Sequence, residues 1–348
     1  MFVVPHSTRD RVRDLVLKHG WNATCYQTVN PIFEYTFFPE CDAVVAFVRA
    51  RGMRVVAGAP VCPFGELPEV MAKFDQAERS GVLYFGAGRR VTSLLREAYP
   101  RSVVSLGAQP VWTPEHWNER VLRRKSLRYQ FNRARNKGVT VREWSTEEAE
   151  NSDGLRLILR EWLGTRGHPP LHFLVEPETL DYLQDRRTFV AEVAGKPVAF
   201  LNLCPVPRRN GWLTEQFPRM RNSPNGTIEL LMFEAANAIA RDGSEYLTMG
   251  LVPFSIHGAI NENPAWLRQV MEMTRVFGKP LYSFTGLNEF KSKFNPEEWE
   301  PVYAASTRRN FRATDLLTVA HAFTGEHFLG TVRRLAVKTA SQKFRKEL

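Results

Sequence analysis

The chain has 348 residues, enough for two domains at roughly 150 residues each, and 47 lysines and arginines against 37 acids give it a net charge of +10. That excess favours polyanionic partners, either nucleic acid or an anionic membrane surface. A hydrophobic content of 43% and an aromatic content of 11% fit a soluble globular protein, and four features exclude other classes. No apolar run approaches the roughly 20 residues of a membrane span. Residues 1–6 lack the layout of a secretion signal. The four cysteines (Cys25, Cys41, Cys62, Cys204) are scattered with no Cys-x-x-Cys pair, which argues against a zinc site or a disulfide framework and suits a reducing cytoplasm. No Gly-x-Ser-x-Gly elbow, Walker loop or dinucleotide fingerprint occurs.

In chain order, residues 9–19 alternate basic and apolar positions at helical spacing and stop at Gly20. Residues 43–48 and 54–58 read as a hairpin about Arg51-Gly52. A helix over 66–80, a strand over 82–85, a helix over 91–98 and a strand over 102–106 follow, and Gly107-Ala108-Gln109-Pro110 closes that unit. A basic helix over 126–137 comes next, with Ser126 as N-cap and Gly138 as stop. Leu127, Phe131 and Ala134 would face the protein, while Arg128, Asn132 and Arg135 form a second stripe with Arg133 and Lys137 beside it. No acid interrupts the run from Arg123 to Lys137, whereas solvated helices normally mix signs, so the run reads as anion-binding.

The second half replays the pattern. A hairpin over 189–203 turns at Gly195-Lys196, a strand over 212–217 leads to a helix over 227–241, and a strand over 245–249 ends in Gly250-Leu251-Val252-Pro253. Cys62 and Cys204 correspond at an offset of 204 − 62 = 142, and Gly107 and Gly250 at 250 − 107 = 143, which suggests a duplicated α/β unit. Near its end the chain carries an aromatic-rich stretch, 282–303. On an extended backbone Lys291 and Lys293 would share one face and Phe290, Ser292 and Phe294 the other. The pair reads either as a cationic wall beside a pocket or as lysines snorkelling into water over an aromatic anchor. The tail over 322–348 is basic and amphipathic, suited to an anionic membrane interface or to packing as a terminal helix.

Several residues could carry chemistry. His168 and His172 have the spacing of a helical metal pair, but Pro169 and Pro170 between them exclude a helix there, so they read as pocket-loop residues rather than zinc ligands. The turn from Ser223 to Glu229 joins a strand to a helix, and its N–H groups could hold an anion or an oxyanion, with Asn225 or Thr227 as N-cap. Glu215 and Arg219 lie just upstream, a carboxylate for general-base work and a guanidinium for phosphate.

Together these residues resemble the C-terminal catalytic domain of the aminoacyl-phosphatidylglycerol synthase (phosphatidylglycerol lysyltransferase) family. The resemblance is carried by Ser126-Leu127-Arg128 and the basic helix, Pro197-Val198-Ala199-Phe200, Glu215…Arg219…Pro224-Asn225-Gly226-Thr227-x-Glu229 and Met249-Gly250-Leu251-x-Pro253. It continues through Tyr282-x-Phe284-x-Gly286-Leu287-x-x-Phe290-Lys291-x-Lys293-Phe294-x-Pro296 and Trp299-Glu300-Pro301-x-Tyr303. The first half also resembles the family, at Gly20-Trp21-Asn22-Ala23-Thr24 and Gly107-x-Gln109-Pro110-Val111-Trp112.

The resemblance implies an α/β (α+β) fold of tandem duplicated GNAT-like acyltransferase domains, each a mixed, mainly antiparallel sheet flanked by helices. Domains would cover 1–118 and 119–310, with a tail over 311–348. The implied reaction moves an aminoacyl group from aminoacyl-tRNA to an anionic lipid, with no metal and no cofactor. Its implied catalytic groups are Glu215 (base or amine-binding carboxylate), Arg219, Lys291 and Lys293. Asn225, Gly226, Thr227, Glu229, His172, Gln216, Tyr282 and Phe284 would bind substrate, and Arg128, Arg133, Arg135 and Lys137 would bind tRNA. Two departures stand out. Family members place Asp where Gln216 stands, which bears on donor preference, and the chain lacks the family's flippase region. It therefore resembles a free-standing soluble branch, cytoplasmic and peripheral on the inner membrane face. Two other classes compete. One is an acyl-CoA-dependent N-acyltransferase acting on an amine-bearing lipid such as a sphingoid base, although the expected CoA turn keeps only Gly226. The other is a non-catalytic membrane- or RNA-binding protein of the same fold.

Overall fold

The structure, a computed structural model, describes residues 6–77, 81–165, 171–277 and 284–325. Helix α1 (His6–His19) precedes the antiparallel strands β1 (Glu34–Phe38), β2 (Ala43–Ala50) and β3 (Met53–Ala57). The β2–β3 turn is Arg51-Gly52, both at positive φ (50° and 79°), the geometry that fits a two-residue loop to twisted strands. Helix α2 (Leu67–Gln76) crosses over to β4 (Val82–Ala87), which runs parallel to β3, and α3 (Arg89–Ala98) leads into β5 (Val103–Trp112). β5 does not stop at Gly107-Ala108-Gln109-Pro110 as expected. Gly107 (φ 138°) lets the chain around Val252 press against the strand, where a Cβ would meet the Val252 carbonyl oxygen at 2.2 Å, and pairing continues past it.

Helices α4 (Trp117–Leu122) and α5 (Lys125–Asn136) lead to β6 (Val139–Trp144), followed by α6 (Thr146–Glu150) and α7 (Asp153–Gly164). The hairpin of β7 (Arg187–Val193) and β8 (Lys196–Val206) turns on Ala194-Gly195 (φ 49° and 72°), one residue earlier than the expected Gly195-Lys196. β9 (Gly211–Thr214), α8 (Thr227–Arg241) and β10 (Tyr246–Thr248) then form a second parallel crossover. The expected strand over 212–217 thus ends at Thr214. Last come β11 (Val252–Pro253), α9 (Ala265–Phe277), α10 (Phe284–Ser292), β12 (Glu298–Ser306) and α11 (Ala313–Thr324).

Among the described residues the strands form one 12-stranded, mostly antiparallel sheet in the order β1-β2-β3-β4-β12-β5-β10-β9-β8-β7-β6, with β11 on β5. β12 lies between β4 and β5, antiparallel to both, and β5 pairs with β10, so the two hairpins belong to one continuous sheet. α8 is buried along most of its length. It is sandwiched between the sheet and α5, where Phe131 and Phe233 meet at 4.5 Å. As expected, α5 buries Leu127, Phe131 and Ala134. Its N-cap, however, is Arg124 rather than Ser126.

The aromatic-rich stretch departs most from expectation. Residues 284–292 are helical, not extended. Leu287, Phe290 and Phe294 recur at helical spacing, and that period outweighs the two-residue alternation of Lys291 and Lys293. Phe294 is fully buried between Trp117 and Phe290, and its carbonyl accepts from Trp112 Nε1 at 3.0 Å. Asn295 at φ 54° then ends the helical turn. On a helix, positions two apart diverge, and the two lysines do. The tail stripe over 326–348, Tyr282 and His168 lie outside the described residues.

Candidate active site

A cavity of 990 Å³ opens between the two halves of the chain. Trp21, Gln27, Phe64, Phe85, Arg90 and Gln109 line it from the first half; Glu215, Gln216, Arg209, Lys291 and Glu300 line it from the second. Another wall is apolar and comes from Leu171, Leu174, Val175, Phe217 and Phe323.

Glu215 follows the end of β9, where its backbone N–H donates to Asn202 O at 2.9 Å and turns the side chain inward. Its side chain is 5% exposed and that of its partner Arg186 is 2% exposed. Glu215 Oε1 accepts from Arg186 Nη2 at 3.2 Å and from Gln27 Nε2 at 3.0 Å. Both donors also face Cys204 Sγ, at 3.2 Å (Arg186 Nε) and 3.4 Å (Gln27 Nε2). Burial works against the Arg186 cation, but Cys204 and Glu215 more than offset it, and its pKa stands above the ordinary value. The preceding residue, Asp185, accepts from Tyr26 and from Arg13 Nη2 (2.6 Å), which locks this segment to the first half of the chain. One oxygen is left over. Glu215 Oε2 is buried with no hydrogen-bond partner, and so is Gln216 Oε1 next to it. A buried carboxylate oxygen without a partner costs free energy, and Glu215 itself lines the cavity.

Lys291 enters from α10 and is 5% exposed. Its Nζ donates to the carbonyls of Met249 (2.5 Å), Gly250 (2.9 Å) and Leu251 (3.2 Å), where the chain leaves β10. Three acceptors match the three protons of an ammonium. Burial nevertheless pulls the pKa of this lysine down to about 7, a value suited to proton transfer near neutrality. A third cluster joins Arg209 to Glu300 through a two-point ion pair, with Gln109 Nε2 donating to Glu300 at 2.8 Å and the Arg209 guanidinium 3.5 Å over the Tyr246 ring.

The remaining expected site residues stand elsewhere. Arg219 is exposed and does not line the cavity. Lys293 points away from Lys291 and pairs with Glu229 at 2.5 Å on α8. The turn before α8 does not open towards the cavity. Gly226 (φ 90°) is the N-cap in place of Asn225 or Thr227, and a Cβ there would meet Gln130 O of α5 at 2.2 Å, so the turn is pressed under α5. Thr227 is buried, with its hydroxyl donating to Pro224 O at 2.6 Å, while Asn225 is exposed. His172 faces Glu176 at 3.5 Å, which raises its pKa, and it does not line the cavity. Phe284 opens α10. On α5, Arg135 pairs with Glu234 at 2.8 Å and Arg128 bonds to Leu122 O, with Arg133 and Lys137 further along; none of these lines the cavity.

Sequence reasoning missed Gln27, Arg186, Arg209 and the Glu300 ion pair. A signal for one of them existed, because Asp185-Arg186-Arg187 sits directly before the apolar run of β7, where unpaired charges are not tolerated.

The sequence profile of the family described as phosphatidylglycerol lysyltransferase, C-terminal, matches residues 12–306. The chain is 23% identical over 306 residues to a protein of Bacillus subtilis named phosphatidylglycerol lysyltransferase, covering 85% of this chain and 35% of that protein. It spans little more than a third of the length of the curated relatives it matches. Two solved structures share its fold. One is the C-terminal domain of a provisionally assigned lysylphosphatidylglycerol synthetase from Agrobacterium fabrum (TM-score 0.77, 18% identity, 92% of this chain and 98% of that one). The other is L-PGS from Bacillus licheniformis (TM-score 0.76, 22% identity, 92% and 97%).

Proposed function

The chain belongs to the phosphatidylglycerol lysyltransferase C-terminal family, and from that premise we propose that it moves an aminoacyl group from aminoacyl-tRNA to a hydroxyl of an anionic lipid such as phosphatidylglycerol. The observation that carries this reading is the cavity shared by the two halves. It combines a buried carboxylate with one free oxygen, a buried lysine poised near neutrality, and an apolar wall.

In this reading the acyl chain of the lipid lies along Leu171, Leu174, Phe217 and Phe323. Its hydroxyl oxygen attacks the aminoacyl ester carbonyl, a new ester bond forms, and the bond to the tRNA ribose oxygen breaks. Glu215 Oε2 takes the proton of the attacking hydroxyl, and Lys291 supplies a proton to the departing ribose oxygen. One ester replaces another, so the balance needs no oxidant, reductant or nucleotide. Gln27 and Arg186 hold Glu215 in a single orientation, which is the positioning such an exchange requires. Among the described residues no helix is long and apolar enough to cross a membrane. In this reading the lipid is met at the membrane surface, on the cytoplasmic face where aminoacyl-tRNA is found.

The test is to incubate the protein with phosphatidylglycerol vesicles and either radiolabelled aminoacyl-tRNAs or radiolabelled acyl-CoAs. Label is expected in the lipid from an aminoacyl-tRNA alone. Label from acyl-CoA and from no aminoacyl-tRNA overturns the reading.

A further inference from the structure

One edge of the cavity is built from arginines and exposed rings that the chemistry above does not use. Trp21 is 38% and Phe64 66% exposed, and both line the cavity. The Arg90 guanidinium is held between them, 3.5 Å from the Trp21 centroid and 4.3 Å from that of Phe64. Arg89 is exposed at the start of α3. Arg208, exposed and just outside the cavity lining, is tied next to Trp21 by its backbone N–H, which donates to Gly20 O at 3.0 Å. Arg209 reaches the same Trp21 ring at 5.4 Å, but its charge is matched by Glu300. Among the described residues Arg89, Arg90 and Arg208 have no carboxylate partner, and burial, with the charges of Arg209 and Arg208, lowers the pKa of Arg90.

Three guanidiniums without carboxylate partners beside two partly exposed rings layered against Arg90 form a surface suited to a polyanion with flat faces. Single-stranded nucleic acid has that chemistry. Its phosphates meet arginines, and its splayed bases stack on aromatic rings and guanidinium planes. A lipid headgroup would use the arginines but not the rings, and the apolar wall suited to acyl chains is formed by other residues, among them Leu174 and Phe323. We propose that Trp21, Phe64, Arg89, Arg90 and Arg208 form the entry for the single-stranded 3′ end of a tRNA, with bases stacking on Phe64 and Trp21 and phosphates on the arginines. This rests on the aminoacyl-tRNA reading above and gives the donor's 3′ end a place at the cavity, which α5 does not line.

The test uses the full chain and an unacylated, fluorescein-labelled RNA hairpin with an ACCA-3′ overhang, the same hairpin without the overhang, and phosphatidylglycerol vesicles. Arg90→Ala and Phe64→Ala are each expected to weaken binding of the overhang hairpin about ten-fold, the scale of one stacked base. The blunt hairpin and the vesicles should bind as before. Arg90→Ala should also lower the salt slope by about 0.7, one phosphate contact on a single strand. Phe64 is the more exposed of the two, so its variant keeps the test valid should Arg90→Ala fail to fold. Unchanged affinity for the overhang, or a loss seen on vesicles instead, overturns the proposal. Overhang-dependent binding without any aminoacyl transfer would leave this entry standing and remove the function above. Transfer that persists with full overhang binding in both variants would do the reverse.

Discussion

On α5, Arg128, Arg133, Arg135 and Lys137 come from one unbroken basic run and stand outside the cavity, where Arg135 pairs with Glu234. Around the cavity, Arg186, Arg209 and Lys291 come from three separate stretches, and each is buried or half-buried against a specific acceptor: Glu215, Glu300, and the carbonyls after β10. The two sets carry the same kind of charge in different surroundings. Water screens the first and discharges little energy through any single contact. The second lies where each cation must have its partner, so its members are coupled to folding and to chemistry together.

The largest effect is expected from Arg186→Met. It strands Glu215, whose side chain is 5% exposed, and breaking a buried pair by removing one partner costs about 3–5 kcal/mol. Urea unfolding of the variant should show that loss, and a change under about 1 kcal/mol would mean that water already reaches the pair.

Lys291→Met comes next and is read through pH. Burial lowers the pKa of Lys291 from 10.5 to about 7. The unfolded chain therefore holds this proton up to a higher pH than the folded one, and wild-type stability should rise between about pH 7 and pH 10. The variant should lack that rise. An identical pH slope in wild type and variant would show that the three carbonyls keep the ammonium charged throughout.

The smallest effects belong to α5. Arg128→Ala and Arg133→Ala should change unfolding free energy by no more than about 0.5 kcal/mol. They should also weaken binding of the overhang hairpin less than Arg90→Ala does. A larger loss from α5 than from Arg90 would put the nucleic-acid contact back on the basic run.

What the sequence made legible follows the same division. Local signals worked: the β2–β3 turn at Arg51-Gly52, the α8 span 227–241, and the buried stripe Leu127, Phe131, Ala134 all stand where period and turn chemistry place them. Glu215 and Lys291 stood out as a carboxylate and a lysine in ordered motifs, and the structure brings both to the lining of the cavity. Lys293, Arg219 and Asn225 came from the family resemblance and lie outside the cavity lining, since a helix separates residues two apart and the turn at Gly226 faces α5. The insertion of β12 between β4 and β5 and the contacts of Gln27 and Arg186 with Glu215 join residues 29 to 223 positions apart (306 − 83 = 223). No local period encodes such pairings, and the same is true of the arginine edge assembled from Arg89-Arg90 and Arg208.

The central claim is that the free oxygen of Glu215 serves the transfer. Its most direct test is a single-turnover measurement of labelled aminoacyl movement from tRNA to phosphatidylglycerol vesicles by wild type and by Glu215→Gln, with the folded fraction of each fixed from its thermal unfolding curve. Glutamine keeps the shape and an acceptor for Gln27 and Arg186 but cannot take the proton. The account predicts a fall of at least about a hundred-fold, the lower scale of general acid–base catalysis. Transfer by folded Glu215→Gln at the wild-type rate would contradict it.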